Sequence, residues 1–222
     1  MVDLMKPSMT LQDLVNSAKE FCEKMSDENH EILIGVTDGK AVGTYVEHKF
    51  HNFLLNKYTL NVGSSAKGID LPDEGIMTDI KVTSITQPQS SCPFVNARQK
   101  IFGLGYNLLV FVYDKHDTNT SCTLHFIYCA FIEQQRTSDY TITKRLREML
   151  HDSANKEDII GFLQDKNLPG DEIIYNNLAE EILVHTPEQG YLTISNALQW
   201  RIQYARVVNL DNKVNGVINY VW

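Results

Sequence analysis

The sequence is short of cysteine and has no long apolar run. Its four cysteines, Cys22, Cys92, Cys122 and Cys129, include no pair at Cys-x-x-Cys spacing, so neither a zinc site nor a disulfide framework is expected. We predict free thiols, as in the reducing cytoplasm. No segment approaches the roughly 20 apolar residues of a membrane span, and the first residues lack the pattern of a secretory signal. A cytoplasmic protein with no membrane partner is therefore expected.

Basic residues are also scarce relative to acids. The chain has 20 Lys and Arg against 28 Asp and Glu, which gives a formal net charge of −8. A simple nucleic-acid-binding protein carries a basic footprint, so this composition counts against one. It leaves open an enzyme that holds a divalent metal with acids and keeps its basic residues in clusters. Such clusters occur at Arg98 and Lys100, at 144–147, and at Arg201 and Arg206.

What is present suits an ordinary globular fold. The 222 residues are 43% apolar, enough for one sizeable core, and with no internal repeat or linker we predict a single domain over residues 1–222. Helical spacing of apolar residues predicts helices near 10–25, 40–57, 138–151, 155–165 and 171–184, and again after Ser195. Thr10 is predicted to cap the first of these helices and Ser138 the third. Apolar runs at 106–113 and 122–132 predict buried strands, and 216–222 a short final one. The order predicts a mixed α/β fold.

The most informative stretch covers residues 68–84. Asp73-Glu74-Gly75 has turn chemistry, and Met77 to Thr83 alternates with period two, which predicts a hairpin. Asp79 and Lys81 then lie on the open face of the second strand, with Asp70 on the first strand across from them. Two carboxylates from adjacent strands suit Mg²⁺, which binds phosphate oxygens and activates water for phosphodiester hydrolysis. The alternative is a surface hairpin with an Asp79–Lys81 ion pair.

This stretch resembles the core of the PD-(D/E)xK nucleases, and more narrowly a type II restriction endonuclease. The match consists of Asp70, a gap of eight residues, and Asp79-Ile80-Lys81. A predicted helix with Glu47 precedes it, and Ala97-Arg98-Gln99-Lys100 leads into the next strand. The literal Pro-Asp pair is Pro72-Asp73, but Asp73 is too close to Asp79 for two paired strands and a turn. Asp70 is therefore favoured over Asp73.

The resemblance implies a restriction-endonuclease-like core at about 35–135, a mixed central β-sheet flanked by helices, with a helical C-terminal part at about 138–222. It implies a Mg²⁺ site formed by Asp70, Asp79 and the Ile80 carbonyl. Lys81 would steady the attacking water. Glu47 would add a further carboxylate, or would be a helix-rim residue that is solvated or paired with His51.

Candidate DNA contacts follow the catalytic strand. Residues 85–94 read as an irregular loop whose amides and hydroxyls could contact bases or phosphates, or could cap their own backbone. The predicted contacts are Gln87, Gln89, Ser90, Ser91, Arg98 and Lys100. In the predicted helix after Ser195, Gln199, Gln203 and Arg206 share a face that could suit a groove, although a core-packing helix with a polar exterior is the alternative.

Three functions remain open from the sequence. The favoured one is a Mg²⁺-dependent, sequence-specific endonuclease that cuts double-stranded DNA as a homodimer. The second is a repair or junction nuclease of the same superfamily, which recognises DNA shape. The third is a non-enzymatic DNA-binding regulator, which would leave Asp70, Asp79 and Lys81 without a role.

Overall fold

The computed structural model describes residues 6–63, 68–91, 96–195, 201–210 and 213–222. These residues form helices and strands in the following order: α1 (Leu11–Ser26), α2 (Gly39–Lys57), β1 (Thr78–Ser84), β2 (Gln89–Ser91), α3 (Arg98–Phe102), β3 (Asn107–Asp117), β4 (Cys122–Ile132), α4 (Tyr140–His151), α5 (Lys156–Asp165), α6 (Glu172–Val184), β5 (Thr193–Ile194), β6 (Arg201–Gln203), α7 (Ala205–Val208) and β7 (Val217–Val221).

The chain divides into two compact units. The first comprises Met1–Pro88, Asn107–Phe131 and Ile218–Trp222, and the second comprises Gln89–Tyr106 and Ile132–Val217. The single domain over residues 1–222 stays a prediction.

The first unit contains a four-stranded sheet in the order β1-β3-β4-β7. Strand β1 pairs in parallel with β3, from Thr78 opposite Asn107 to Ser84 opposite Tyr113. Residues 118–121 join β3 to β4, and so short a connection can join only antiparallel strands. The sheet is therefore mixed, which confirms the predicted fold class, and β1 lies at one edge of it.

Helices α1 and α2 supply the apolar face that covers this sheet. Thr10 caps α1, as the sequence predicts, and does so through a reciprocal capping box with Asp13; the Asp38 side chain caps α2. Aromatic rings form the centre of the core: the ring centroids of Phe21 and Phe50 are 5.0 Å apart, as are those of Phe50 and Phe111. Burial of each such side chain contributes about 1.5–3 kcal/mol, so this core fixes α2 against the sheet.

The second unit carries the predicted helical C-terminal part. Helices α4, α5 and α6 are capped by Asp139, Asn155 and Asp171; the sequence had suggested Ser138 for the first of these caps. Buried residues from α3 to α6 form one apolar cluster, which includes Ile101, Leu146, Leu163 and Ile182.

Two secondary-structure predictions in the second unit are wrong. Residues 201–203 of the predicted helix form strand β6, and only Ala205–Val208 is helical; residues 196–200, including Gln199, lie outside the described residues. Gln89–Ser91, predicted to be irregular loop, form strand β2. The reason is mutual pairing, because β6 is hydrogen-bonded in antiparallel fashion to β2 on one side and to β5 on the other.

The structure also bears on the predicted free thiols and on membrane-spanning helices. Cys22, Cys122 and Cys129 are buried free thiols, as predicted, and Cys92 lies outside the described residues. Within the described part of the chain, no helix has the length and apolar character needed to cross a membrane.

Candidate active site

The site is built on the edge strand β1 and the turn before it. The predicted first hairpin strand is reduced to one antiparallel bridge, in which Leu71 and Thr78 exchange backbone hydrogen bonds of 2.9 and 3.0 Å. The turn between them includes Gly75 and Met77, both at positive φ. This bridge holds Asp70 beside β1, where its carboxylate accepts a 2.7 Å hydrogen bond from the Ile80 N–H.

Asp79 and Lys81 share a face of β1, as their spacing predicts, and form an ion pair. Lys81 Nζ lies 2.7 Å from Asp79 Oδ2, with side-chain exposures of 20% and 5% respectively. The expectation of an open face is therefore wrong for Asp79, which is buried. The alternative prediction was an Asp79–Lys81 ion pair on the protein surface. The observed pair differs from it because the Asp79 carboxylate is buried, and burying a charged carboxylate costs free energy.

Burial raises the pKa of Asp79 to about 7. The nearby Lys81 ammonium opposes this shift, whereas a hydrogen bond with the Asp70 carboxylate and the charge of Asp70 reinforce it. The two carboxylates are thus close enough to share a proton, which is the proximity that a common cation would require.

Glu47 is a third acidic group in the same environment. It lies half-buried on α2, and its pKa is raised by burial first and by the charge of Asp70 second; His48 and Lys81 oppose the shift. His51, one turn further along α2, is buried, and its Nε2 has no hydrogen-bond partner among the described residues. No hydrogen bond between described residues joins Glu47 to His51. The first unit therefore brings together Glu47, Asp70, Asp79 and Lys81.

Asp73 occupies a different place from Asp70. Its carboxylate accepts hydrogen bonds from the backbone N–H of Asn61 at 2.9 Å and from Asn61 Nδ2 at 2.5 Å. These contacts attach the turn to the segment after α2. The Asp73 carboxylate is thus hydrogen-bonded to Asn61, and the choice of Asp70 as the metal ligand stays a prediction.

The available donors suit a hard divalent cation that keeps some of its water. Among residues the structure describes, no three His, Cys, Asp or Glu side chains are spaced to enclose a metal. Mg²⁺ commonly binds through one or two carboxylates, with water and substrate phosphate completing the shell. Asp70 and Asp79, with the Ile80 carbonyl, offer such an all-oxygen donor set.

The predicted DNA-contact residues lie in both units. Gln87 lies in the turn after β1, where its carbonyl accepts a 3.1 Å hydrogen bond from Thr83 Oγ1. Gln89, Ser90 and Ser91 form β2 in the second unit, opposite Gln203, Ile202 and Arg201 of β6. Ser90 Oγ lies 2.5 Å from the hydroxyl of the buried Tyr204, so Ser90 faces inward and the residues on either side of it face outward.

Arg98 and Lys100 are both engaged within the second unit. Arg98 makes a forked hydrogen bond to the Glu181 carboxylate, with distances of 2.6 to 3.0 Å. Lys100 is fully buried, and its Nζ donates to the Ile194 carbonyl at 3.4 Å. Burial lowers the pKa of Lys100, and the charge of Asp139 opposes that shift. Contact of Lys100 with DNA would require its ammonium to leave the interior.

Sequence reasoning missed two features of these sites. One is the Asp70 hydrogen bond to the β1 backbone, for which the sequence carries no signal. The other is the pairing of Arg201 and Gln203 with β2 and β5. A signal for it existed, because Arg201 and Gln203 alternate with the apolar Ile202 at period two.

One carboxylate and a lysine on the edge strand of a mixed sheet, with a second carboxylate held beside that strand and a half-buried helical glutamate in the same unit, resemble the arrangement of a PD-(D/E)xK nuclease. Within that class the relationship is specific. Residues 8–219 match the family model described as type II restriction enzyme NspV. A Nostoc sp. protein, Type II restriction enzyme NspV, is 50% identical over 212 residues, which cover 95% of this chain and 96% of that protein.

The chain therefore belongs to the NspV family of type II restriction enzymes and is a site-specific deoxyribonuclease. No solved structure matches the chain.

Proposed function

We propose that this chain is a Mg²⁺-dependent endonuclease that cuts both strands of duplex DNA at one short site, acting as a homodimer. The observation that carries the proposal is the cluster of Glu47, Asp70, Asp79 and Lys81, in which burial and the nearby charge of Asp70 both raise the pKa values of Glu47 and Asp79. Family membership supports restriction of DNA over the repair and regulator alternatives.

Each residue of the cluster has a distinct role in this proposal. Asp70 and Asp79, with the Ile80 carbonyl, hold Mg²⁺. When bound there, the ion supplies a water of lowered pKa and neutralises charge on the phosphate. Lys81, 2.7 Å from Asp79, donates hydrogen bonds to the attacking water or to a phosphate oxygen. The hydrogen bond from Ile80 N–H keeps the Asp70 carboxylate aimed along β1.

Removal of divalent metal is expected to stop cleavage completely. Plasmid DNA incubated with the protein and Mg²⁺ should yield discrete fragments, and added EDTA should leave the plasmid intact because the acid cluster alone cannot activate water. Sequencing of the fragment ends identifies the site. Undiminished cutting in EDTA would contradict the metal proposal, and preference for four-way junctions or flaps over plasmid would favour the repair alternative.

The homodimer is proposed because one active site per chain must cut two strands. A two-fold dimer on a palindromic site is the simplest solution. Light scattering of the free protein should then give twice the 25.3 kDa chain mass, and the DNA complex should give that mass plus one duplex. A species with one chain per duplex that still makes double-strand breaks would contradict this proposal.

Glu47→Gln is expected to weaken cleavage by about 10- to 100-fold, the usual cost of losing a group that orients a metal site. The substitution keeps size and hydrogen bonding but removes the third negative charge. Rates on cognate duplex should be measured over a range of Mg²⁺ concentrations, with Glu23→Gln on α1 as the exposed, charge-matched control. Wild-type rates for Glu47→Gln at low Mg²⁺ would assign Glu47 to the helix rim.

A further inference from the structure

The second unit contains a small three-stranded sheet in which polar side chains of neighbouring strands lie opposite one another. The three-stranded sheet has the order β2-β6-β5, with Gln89 and Thr193 both opposite Gln203. Ser91 lies opposite Arg201. Directly opposed residues of antiparallel strands project to the same face, and so do residues two apart on one strand. These five side chains therefore share one face of the sheet.

The opposite face of this sheet is internal. Ile202 is completely buried, Ile194 is 5% exposed, and Ser90 bonds the hydroxyl of the fully buried Tyr204. The first face must consequently point outward, and Ser91, Arg201 and Gln203 are exposed there. The apolar interior fixes the sheet, so the outward side chains are presented from a rigid backbone.

The outward face carries polar and basic side chains and no acidic ones. The chain has a net charge of −8, yet no residue of β2, β5 or β6 is acidic. Arg201 forms no ion pair with any residue that the structure describes. The face thus offers carboxamides, hydroxyls and one guanidinium, with a positive charge that complements DNA. Gln pairs bidentately with adenine N6 and N7, and Arg with guanine O6 and N7.

The dimensions of the face suit the major groove. Strands lie about 4.8 Å apart, so the antiparallel pair of β2 and β6 forms a two-stranded ribbon, which the major groove, about 12 Å wide, admits. Several DNA-binding proteins read bases with strands in this way.

We infer that the outward face of β2-β6-β5 reads the recognition site in the major groove, with Gln203 paired to an adenine and Arg201 to a guanine. This inference rests on the proposed function, since it assigns the base-reading surface of the same enzyme. The base-reading element is then strand β6 and not the predicted helix after Ser195. Gln89 and Ser91, which were predicted to contact DNA, lie on the same face as Gln203 and Arg201 of β6.

The test uses base analogues within the cognate duplex, once fragment ends have identified it. Replacing one adenine or guanine at a time by its 7-deaza analogue removes the N7 acceptor. For the wild type, kcat/KM should fall at the contacted positions, by less than the roughly 5- to 150-fold expected for loss of a whole bidentate pair, because the contact to N6 or O6 remains. Gln203→Ala should become insensitive to the analogue at one adenine of each half-site only, and Arg201→Ala at one guanine of each half-site only.

Arg145→Ala is the matched control, because Arg145 is exposed on α4 of the same unit and pairs only with Glu148 among the described residues. It should retain the wild-type analogue profile. Gln203→Glu provides a second variant, which preserves the size of the side chain but loses the N–H that donates to adenine N7, and it should show the same position-specific insensitivity.

Several outcomes would overturn the inference: variants with the full wild-type analogue profile, a loss that is uniform over all duplexes, or a cognate site without adenine or without guanine. A wild type that cuts no duplex DNA would overturn the proposed function itself. Metal-dependent cutting with unchanged base discrimination in the variants would overturn only the reading surface.

Discussion

Asp79→Asn is expected to reduce cleavage by at least about 1,000-fold while it increases the thermal stability of the metal-free protein. The loss of activity follows from removing a ligand of a metal that supplies several kcal/mol of transition-state stabilisation, since each 1.36 kcal/mol is a factor of ten in rate. Asparagine preserves the shape of the buried side chain, so no cavity results.

The gain in stability follows from the pKa of Asp79. Burial raises it to about 7 in the folded chain, whereas an unfolded aspartate titrates near 4. The folded state therefore binds the proton more tightly, and stability falls as the pH rises from about 4 to about 7. Asparagine cannot ionise, so the variant avoids a cost on the order of a few kcal/mol above pH 7.

Thermal unfolding in EDTA at pH 5 and pH 8 tests this prediction beside a cleavage assay. The Tm difference between variant and wild type should be larger at pH 8, and by at least about 2–4 °C if 1 kcal/mol or more is recovered. Asp114→Asn, which removes a partly exposed carboxylate of β3, should change neither property much. Near-normal turnover by Asp79→Asn would remove Asp79 from the metal site, whatever its stability.

Asp70→Asn and Asp73→Asn are expected to differ sharply in cleavage rate and in Mg²⁺ binding. Asp70→Asn should lower cleavage by at least about 100-fold and weaken Mg²⁺ binding. An amide oxygen can still accept the hydrogen bond from Ile80 N–H, which is 2.7 Å in the wild type, so the fold should persist. Asp73→Asn should cleave at close to the wild-type rate and lose only about 0.5–1.5 kcal/mol of stability through its weakened contacts with Asn61.

Calorimetric titration of each variant with Mg²⁺ provides a readout that is independent of turnover. Weakened binding should appear with Asp70→Asn alone. The reverse pattern, an inactive Asp73→Asn beside an active Asp70→Asn, would move the metal ligand to the literal Pro72-Asp73 pair and would require the Asn61 hydrogen bonds to break when metal binds.

Several features were accessible from the sequence because they depend on short-range chemistry. Thr10 and Asp13 cap α1 through neighbouring residues, and α2 and β4 follow local apolar periodicity. The order Asp70, Asp79, Lys81 likewise carries its chemistry in its spacing, which is why the class of enzyme could be predicted before any coordinates. Period and capping act over a few residues and need no knowledge of distant partners.

Other features were decided only by tertiary structure, because they depend on what packs against a residue from far along the chain. Asp79 is buried and Lys100 is enclosed in the second unit, although neither residue type predicts burial. Residues 201–203 have a pattern compatible with a helix, yet they form a strand because residues 89–91, more than a hundred positions earlier, offer a partner. The residues proposed to form the acid cluster were thus predictable from the sequence. The burial that raises the pKa of Asp79 and of Glu47, and the sheet inferred to read the bases, were determined by long-range pairing and packing.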